Sequence, residues 1–331
     1  MGGRTFADSV WTNTDTLARQ AGEVIQRGMT TGADVYQMAD QIADLSKKGK
    51  YAATRLVRTE TNHICNQAQL DAYDSAGIEQ YKFLATLDYR TCEVCQPLDG
   101  KVFYRSEARG GVNYPTMHPN CRCTTTIPTA YLSRWANDGG HKYKVDGDVT
   151  FSQWTANMTP EQKQAFEVHV KQWRNRAADK KQYERYIERL GKENVPETFD
   201  KWQEMKYTEF DIWNNYKGIY KTADGYILGG LNLDTGKPRQ IIVVRHIETH
   251  GIPNSLTQKV GKKGGIDRNY YGTDGYQTKQ ITNHNHGAPK KHPYGKNGEH
   301  AHDYAWKNEK EFKRYTRELS DVERKENADI L

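Results

Sequence analysis

Two groups of residues in this 331-residue chain are of types and spacings that do chemistry. The first is Cys92-x-x-Cys95, followed by Cys121-x-Cys123, with His118 three residues before Cys121. A Cys-x-x-Cys turn brings two thiolates within reach of one ion, and a second pair from a distant loop completes a tetrahedron, for which zinc is the usual occupant. Two ligand sets satisfy the spacing: Cys92, Cys95, Cys121 and Cys123, or the same set with His118 in place of Cys123. Either would be structural, because four protein ligands leave no position for water. Without a metal, the same cysteines read as a thiol cluster in a small core or as a disulfide formed after release from a cell.

The second group is histidine-rich. Seven of the eleven histidines lie from His246 onward, and the densest stretch reads QITNHNHGAPKKHPYGKNGEHAHDYAW. His284 and His286 are two apart, as are His300 and His302, so each pair shares a face if its segment is a strand. Were the intervening loop to fold back, both pairs would meet on one surface, next to Asp303. Such a surface is either a metal site or a general acid/base centre. With Lys279, Lys290 and Lys291 nearby, His284, His286, His300, His302 and Asp303 are the candidate catalytic residues for RNA cleavage without metal. The alternative is a loop-rich domain whose His and Tyr side chains satisfy backbone groups.

The elements that must position these residues follow from periodicity. Val10, Leu17, Ala21 and Val24 mark one helical face, and Val35, Met38, Ile42 and Leu45 mark another. Lys47-Lys48-Gly49-Lys50 breaks the second helix, and a third is expected from about Tyr51 to Ser75, before Gly77. Cys65 on it reads as a small buried apolar residue. Tyr81, Phe83, Ala85 and Leu87 alternate as a strand does. Asp99-Gly100, Gly110-Gly111 and Pro97, Pro115 and Pro119 make the cysteine segment one of turns and short strands. Within it, Asn120 suits a turn cap, and Arg122 suits a carboxylate or a phosphate.

The string TLDYRTCEVCQPLDGKVF, followed by PTMHPNCRC, resembles the C-terminal module of the minor head proteins of tailed bacteriophages, the head morphogenesis family related to the F protein of phage Mu. LVRTETNHICNQAQLDAYDSAGIEQYKFLATLD resembles the same family's helical lead-in. The resemblance runs from about Trp11 to Pro128. It implies a structural protein of the phage head, bound near the portal in few copies. The implied partners are portal and capsid or scaffold proteins. The implied location is the virion or procapsid, and the host cytoplasm during assembly. Family members usually carry a further N-terminal region, which is not expected here.

Beyond Pro128, the polar, Gly-rich stretch from Tyr131 to Thr150 reads as a linker. Thr159-Pro160-Glu161-Gln162 is a helix start, Phe166, Val170, Trp173 and Ala177 its apolar face, and Gly191 its stop. Lys171, Arg174, Arg176, Lys180, Lys181 and Arg185 lie opposite, suited to phosphate contact or to plain solvation. Thr198 opens another helix, and Phe199, Trp202, Met205, Trp213, Tyr216 and Tyr220 read as core. Gly225 to Val244 reads as strands with Gly-rich turns. The histidine-rich run loosely resembles C-terminal extensions of phage head proteins that carry nuclease or toxin modules, among them barnase-like and EndoU-like ribonucleases.

The expected class is therefore α+β: a helical N-terminal part leading into a small cysteine-containing β-rich module, a helical middle segment and a small α+β C-terminal domain. The expected divisions are 1–130, 131–221 and 222–331. With 36% apolar and 27% charged residues the chain has enough apolar surface for real cores. No apolar run approaches the ~20 residues that span a bilayer, and MGGRTFADSVW has no signal-peptide apolar core, so a reducing cytosol and no membrane partner are expected. A net charge of +6 is compatible with contact to DNA or RNA.

Overall fold

The structure is a computed structural model that describes residues 6–46, 49–129, 133–231, 238–307 and 310–331. Side chains are described from residue 16 onward, apart from 230–239 and 308–312. Helices and several sheets alternate, giving the α+β class expected. The chain divides into two compact units, Met1–Val170 and Lys171–Leu331, rather than at the expected 130/131 and 221/222 boundaries.

The first unit opens with three helices: α1 (Phe6–Thr31), α2 (Val35–Ser46) and α3 (Lys50–Ser75). The Asp34 carboxylate accepts the backbone N–H groups of Tyr36 (2.7 Å) and Gln37 (2.9 Å), which starts α2. Ala21, Val24, Ile25, Met38, Ala39, Ile42, Ala53 and Val57 form the shared core, as the periodicity requires. Leu45 departs from that reading and is exposed. The Val10 side chain and Lys47-Lys48 fall outside what is described.

Helix α3 docks on the cysteine segment through side-chain amides. Asn62 and Asn66 both donate to the Cys123 carbonyl, at 3.1 and 3.3 Å, and Gln69 donates to the Thr125 carbonyl at 3.0 Å. Cys65 lies on another face of α3 and is exposed, which corrects the reading of it as buried. The segment itself contains β1 (Gln80–Leu84), β2 (Leu87–Asp88), β3 (Val102–Tyr104) and β4 (Thr124–Thr126). Of these, β1, β3 and β4 make an antiparallel sheet in the order β3-β1-β4, with Tyr81 and Phe83 fully buried.

The expected linker is instead a β-hairpin of β5 (Ser133–Asn137) and β6 (Lys142–Asp146), with β2 parallel to β5. Its polar composition misleads because the hairpin is held by an ion pair. Arg134 enters the interior and meets Asp99, with side-chain exposures of 8% and 0%. A short helix, α4 (Phe151–Ala156), follows with a full Thr150–Gln153 capping box. Next comes α5 (Pro160–Leu190), whose Thr159 cap accepts the Gln162 N–H at 3.3 Å. Phe166 and Val170 join the hairpin's core with Phe151 and Trp154.

The unit boundary falls within α5. Its second half, with α6 (Phe199–Thr208) and α7 (Phe210–Thr222), supplies an aromatic core of Tyr186, Trp202, Trp213 and Tyr216. Trp173 and Ala177, expected on the apolar face, are exposed. Asp179 is the buried residue of that stretch, accepting from Gln203, Lys206 and Tyr207. The same core takes in Ile242, Val244, Ile252 and Tyr271, so these helices cover one part of a seven-stranded sheet. Its strands are β7 (Ala223–Leu231), β8 (Pro238–Val244), β9 (Leu256–Val260), β10 (Ile266–Tyr271), β11 (Gln277–Thr282), β12 (His300–Lys307) and β13 (Lys310–Arg317). They lie in sequence order, antiparallel throughout except β8 with β9. A last helix, α8 (Asp321–Glu326), follows the sheet.

Candidate functional site

The turn carrying Cys92 and Cys95 is closed by two N–H bonds to the Cys92 carbonyl, from Cys95 and Gln96, each 3.1 Å. Cys121 follows a tight turn in which its N–H donates to the His118 carbonyl at 3.0 Å. Asn120 has a left-handed backbone there (φ 62°), and its N–H donates to Thr59 Oγ1 at 3.0 Å. Arg122 pairs with the Asp88 carboxylate, through Nη2–Oδ1 at 2.7 Å and through Nη1–Oδ2. It therefore takes the carboxylate role of the two open to it. Burial pushes the Asp88 carboxyl up, but Arg122 and Arg90 outweigh it and hold the group below its usual range.

These turns bring all five expected ligands into one place. Cys92, Cys95 and His118 place their ligand atoms within 4.8 Å of one another, and so do Cys95, Cys121 and Cys123. His118 Nε2 lies 3.0 Å from Cys92 Sγ and 3.4 Å from Cys95 Sγ. Its Nδ1 is 2.9 Å from the Pro119 carbonyl, which only accepts, so Nδ1 is the donor there and Nε2 faces the sulfurs. Among the three deeper sulfurs, hydrogen bonds from Cys123 and Cys95 stabilise a Cys121 thiolate and push its pKa far down. The Cys95 and Cys123 thiols are pushed up by the same contacts with Cys121. Three clustered sulfurs, one of them favoured as the thiolate, beside an imidazole nitrogen are a donor set that suits a zinc-type ion. The two groups share Cys95, and the structure does not choose between the two expected ligand sets.

The histidines form the second centre. On β12, His300 and His302 share one face and are 0% and 2% exposed. Thr282 pairs with His300 across β11–β12, so the loop from 283 to 299 returns to that face. His286 lies on it at φ 50°, with its ring centroid 5.1 Å from His300 and 5.7 Å from His302. The ligand nitrogens of His286, His300 and His302 lie within 4.8 Å of one another. His284 sits beside them, but its Nδ1 accepts the His286 backbone N–H at 3.1 Å. Its remaining proton is then on Nε2, 3.4 Å from Asp267 Oδ1. His284 thus fixes the loop that carries His286.

Asp303 does not join this group. It follows His302 on a strand and so faces the other way, where Arg317 donates to it at 2.5 and 3.1 Å. Lys290 and Lys291 are exposed, and Lys279 donates to Glu323. Sequence reasoning left out His292, whose ring stacks on His300 at 4.3 Å and 12°. Its Nδ1 is buried without a hydrogen-bond partner among the described residues. Its place in the same histidine-rich loop was the signal. Partial desolvation of the imidazole lowers the His286 pKa to about 4 and burial lowers the His302 pKa to about 3, with neighbouring histidines adding to the effect, and burial lowers His300 as well. These imidazoles are neutral at pH 7.

Residues 19–126 match the family model described as Phage Mu protein F like protein. That likeness covers about a third of this chain. The match ends with β4, and the hairpin β5–β6 and the second unit lie beyond it. An uncharacterized protein of Haemophilus influenzae is 26% identical over 99 residues, which is 30% of this chain. The chain spans 22% of that protein's length. No solved structure matches. Among the described residues, no helix is long and apolar enough to cross a membrane.

Proposed function

We propose that this phage head-related protein is a minor head component of a tailed phage or prophage, acting in head morphogenesis near the portal. The observation that carries the reading is the match over residues 19–126, which covers the second half of α1, all of α2 and α3, and the cysteine segment docked on α3. Its partners on this reading are portal and capsid or scaffold proteins, with packaged DNA as a further contact through the basic side of α5. The cysteine pocket then holds one structural zinc, using Cys92, Cys95 and Cys121 with Cys123 or His118. That ion would tie β1, β4 and the two turns into one rigid piece, in a sheet whose strands are three to five residues long.

The test is co-sedimentation of the full chain with procapsids assembled with and without the portal protein. The reading expects portal-dependent incorporation, unchanged by substitutions in the histidine loop. Absence from procapsids and virions alike would overturn it.

A second reading, a head-associated effector with a ribonuclease-like C-terminal part, is favoured by the convergence of His286, His300 and His302. In its metal-free form it needs one group to take a proton and another, protonated at neutral pH, to give one. The depressed pKa values leave His286 and His302 without that proton, and Asp303 and the lysines lie elsewhere. RNA incubated with the full chain, with and without EDTA, decides it: cleavage that survives EDTA and is lost in His286→Ala supports the metal-free form.

A further inference from the structure

The histidine face of β12 has a feature that neither the head reading nor acid/base chemistry uses. His300 Nδ1 lies 2.7 Å from the Gly298 carbonyl. A carbonyl only accepts, so Nδ1 carries the proton of the neutral ring and Nε2 is a bare lone pair. That lone pair faces His302 Nε2 at 3.0 Å. On its far side His302 Nδ1 meets Thr316 Oγ1 at 2.9 Å, a hydroxyl that donates or accepts with equal ease. Thr316 stands directly across β12–β13 from His302.

We propose that His286, His300 and His302 bind one divalent transition-metal ion, of the zinc type, on the sheet of the second unit. Three arguments carry this. The first is convergence: three imidazole nitrogens within 4.8 Å of one another, two of them on rigid strand positions. Two nitrogens bound to one tetrahedral ion at ~2.0 Å lie about 3.3 Å apart, so the 3.0 Å between the two Nε2 atoms needs only a few tenths of an ångström to reach bonding geometry.

The second is the outer shell. Metal-bound histidines hold their other ring N–H on a carbonyl, carboxylate or hydroxyl. Gly298 already does this for His300, and Gly298 reaches its place at φ 84°, where an added Cβ would meet Asn285 backbone at 2.9 Å. Thr316 does it for His302. With no ion, His302 carries its proton on Nε2 and donates to His300, while Thr316 donates to Nδ1. With an ion, the proton sits on Nδ1 and the hydroxyl accepts it. Both ring nitrogens of His300 and of His302 have a partner in either state, so ion entry breaks no hydrogen bond of these two rings without replacing it.

The third is the setting of His286. His284 accepts its backbone N–H and a left-handed φ turns it onto the face, while its ring has no hydrogen-bond partner among the described residues. His292 covers His300 with a buried, unpartnered nitrogen. Three nitrogen donors suit zinc and its late first-row neighbours over calcium or magnesium, which take oxygen. They also leave a position for water or a substrate oxygen, as catalytic zinc sites do.

The test uses the full chain, stripped with chelator and titrated with Zn²⁺, with bound metal counted by mass spectrometry after desalting. Cys121→Ser separates the cysteine pocket from this site. The expected result is one equivalent of zinc that persists in Cys121→Ser and is lost in His286→Ala and His302→Gln. His286 is exposed, so its removal opens no core, and unchanged melting of metal-free His286→Ala confirms that the fold survives. Thr316→Val should weaken the site roughly 10–100-fold by removing the outer-shell partner. Equal zinc content in wild type, His286→Ala and His302→Gln, or wild-type affinity in Thr316→Val, overturns the proposal.

Discussion

Asp99 is the residue on which the cysteine sheet and the β5–β6 hairpin most depend. Its carboxylate accepts the N–H of Ala85 at 2.7 Å and of Phe151 at 2.6 Å. It also accepts two guanidinium bonds from Arg134, at 2.9 and 3.0 Å. Arg134 in turn donates to the carbonyls of Val149 (2.9 Å) and Ala85. One carboxylate therefore joins the end of β1, the start of α4 and the middle of β5.

Asp99→Asn keeps the shape and opens no cavity, but it removes the charge opposite a guanidinium that water barely reaches. An uncompensated buried charge of this kind costs roughly 3–5 kcal/mol, about two to three and a half decades in the folding equilibrium at 1.4 kcal/mol each. Arg134→Met should cost a similar amount. The double variant, with both charges gone, should lose clearly less than the sum, because buried pairs replaced together are often near neutral. The assay is urea unfolding read by hydrogen exchange at the Ala85 and Phe151 amides, which report this unit alone. Single variants within about 0.5 kcal/mol of wild type, or a double variant equal to the sum, would refute the reasoning.

Other outcomes follow from the same geometry. Cys92→Ser and Cys121→Ser should each reduce the zinc held by the cysteine pocket and lower the melting temperature of the first unit; unchanged melting with no zinc in the wild-type pocket would remove the structural-ion proposal. Glu323 accepts from Arg317 at 2.8 Å twice and from Lys279, and Arg317 first among these holds its carboxyl well below the usual range. A carboxyl lowered on folding stabilises fully above its unfolded value, near 4.3, and that contribution fades as pH falls through the lower folded value. Glu323→Gln should therefore cost roughly 1.5–3 kcal/mol at pH 7 and flatten the acid limb of a melting-against-pH curve between pH 5 and pH 3. An equally steep limb in the variant would show that other groups set the acid response.

Local signals in the sequence carried far because much of this fold is locally determined. The Thr159 and Thr198 caps, the Gly191 stop and the apolar spacing of α2 each act within one or two turns, and the structure has them where the sequence places them. The cysteine spacing was legible for the same reason, since a Cys-x-x-Cys turn is short-range geometry. The hairpin β5–β6 was not legible. Its stability comes from Arg134 reaching an aspartate 35 residues earlier, and nothing in NDGGHKYKVDGD announces that contact. Trp173 failed for the opposite reason: helical periodicity puts it on an apolar face, but the buried member of that stretch is Asp179, chosen by partners on α6.

The histidine face shows where such reading stops. Strand alternation alone places His300 and His302 together and turns Asp303 away. Which nitrogen of each ring is bare is decided elsewhere, by a Gly298 carbonyl in the loop and a Thr316 hydroxyl on the next strand. Neither Gly nor Thr looks like chemistry in a sequence. Their identity nonetheless sets the difference between a hydrogen-bonded pair of imidazoles and a pair of lone pairs aimed at one point. A ligand set is therefore a property of ring tautomers held by strand register, and substitution of Thr316 tests it more sharply than substitution of any histidine, because Thr316→Val leaves all three rings in place.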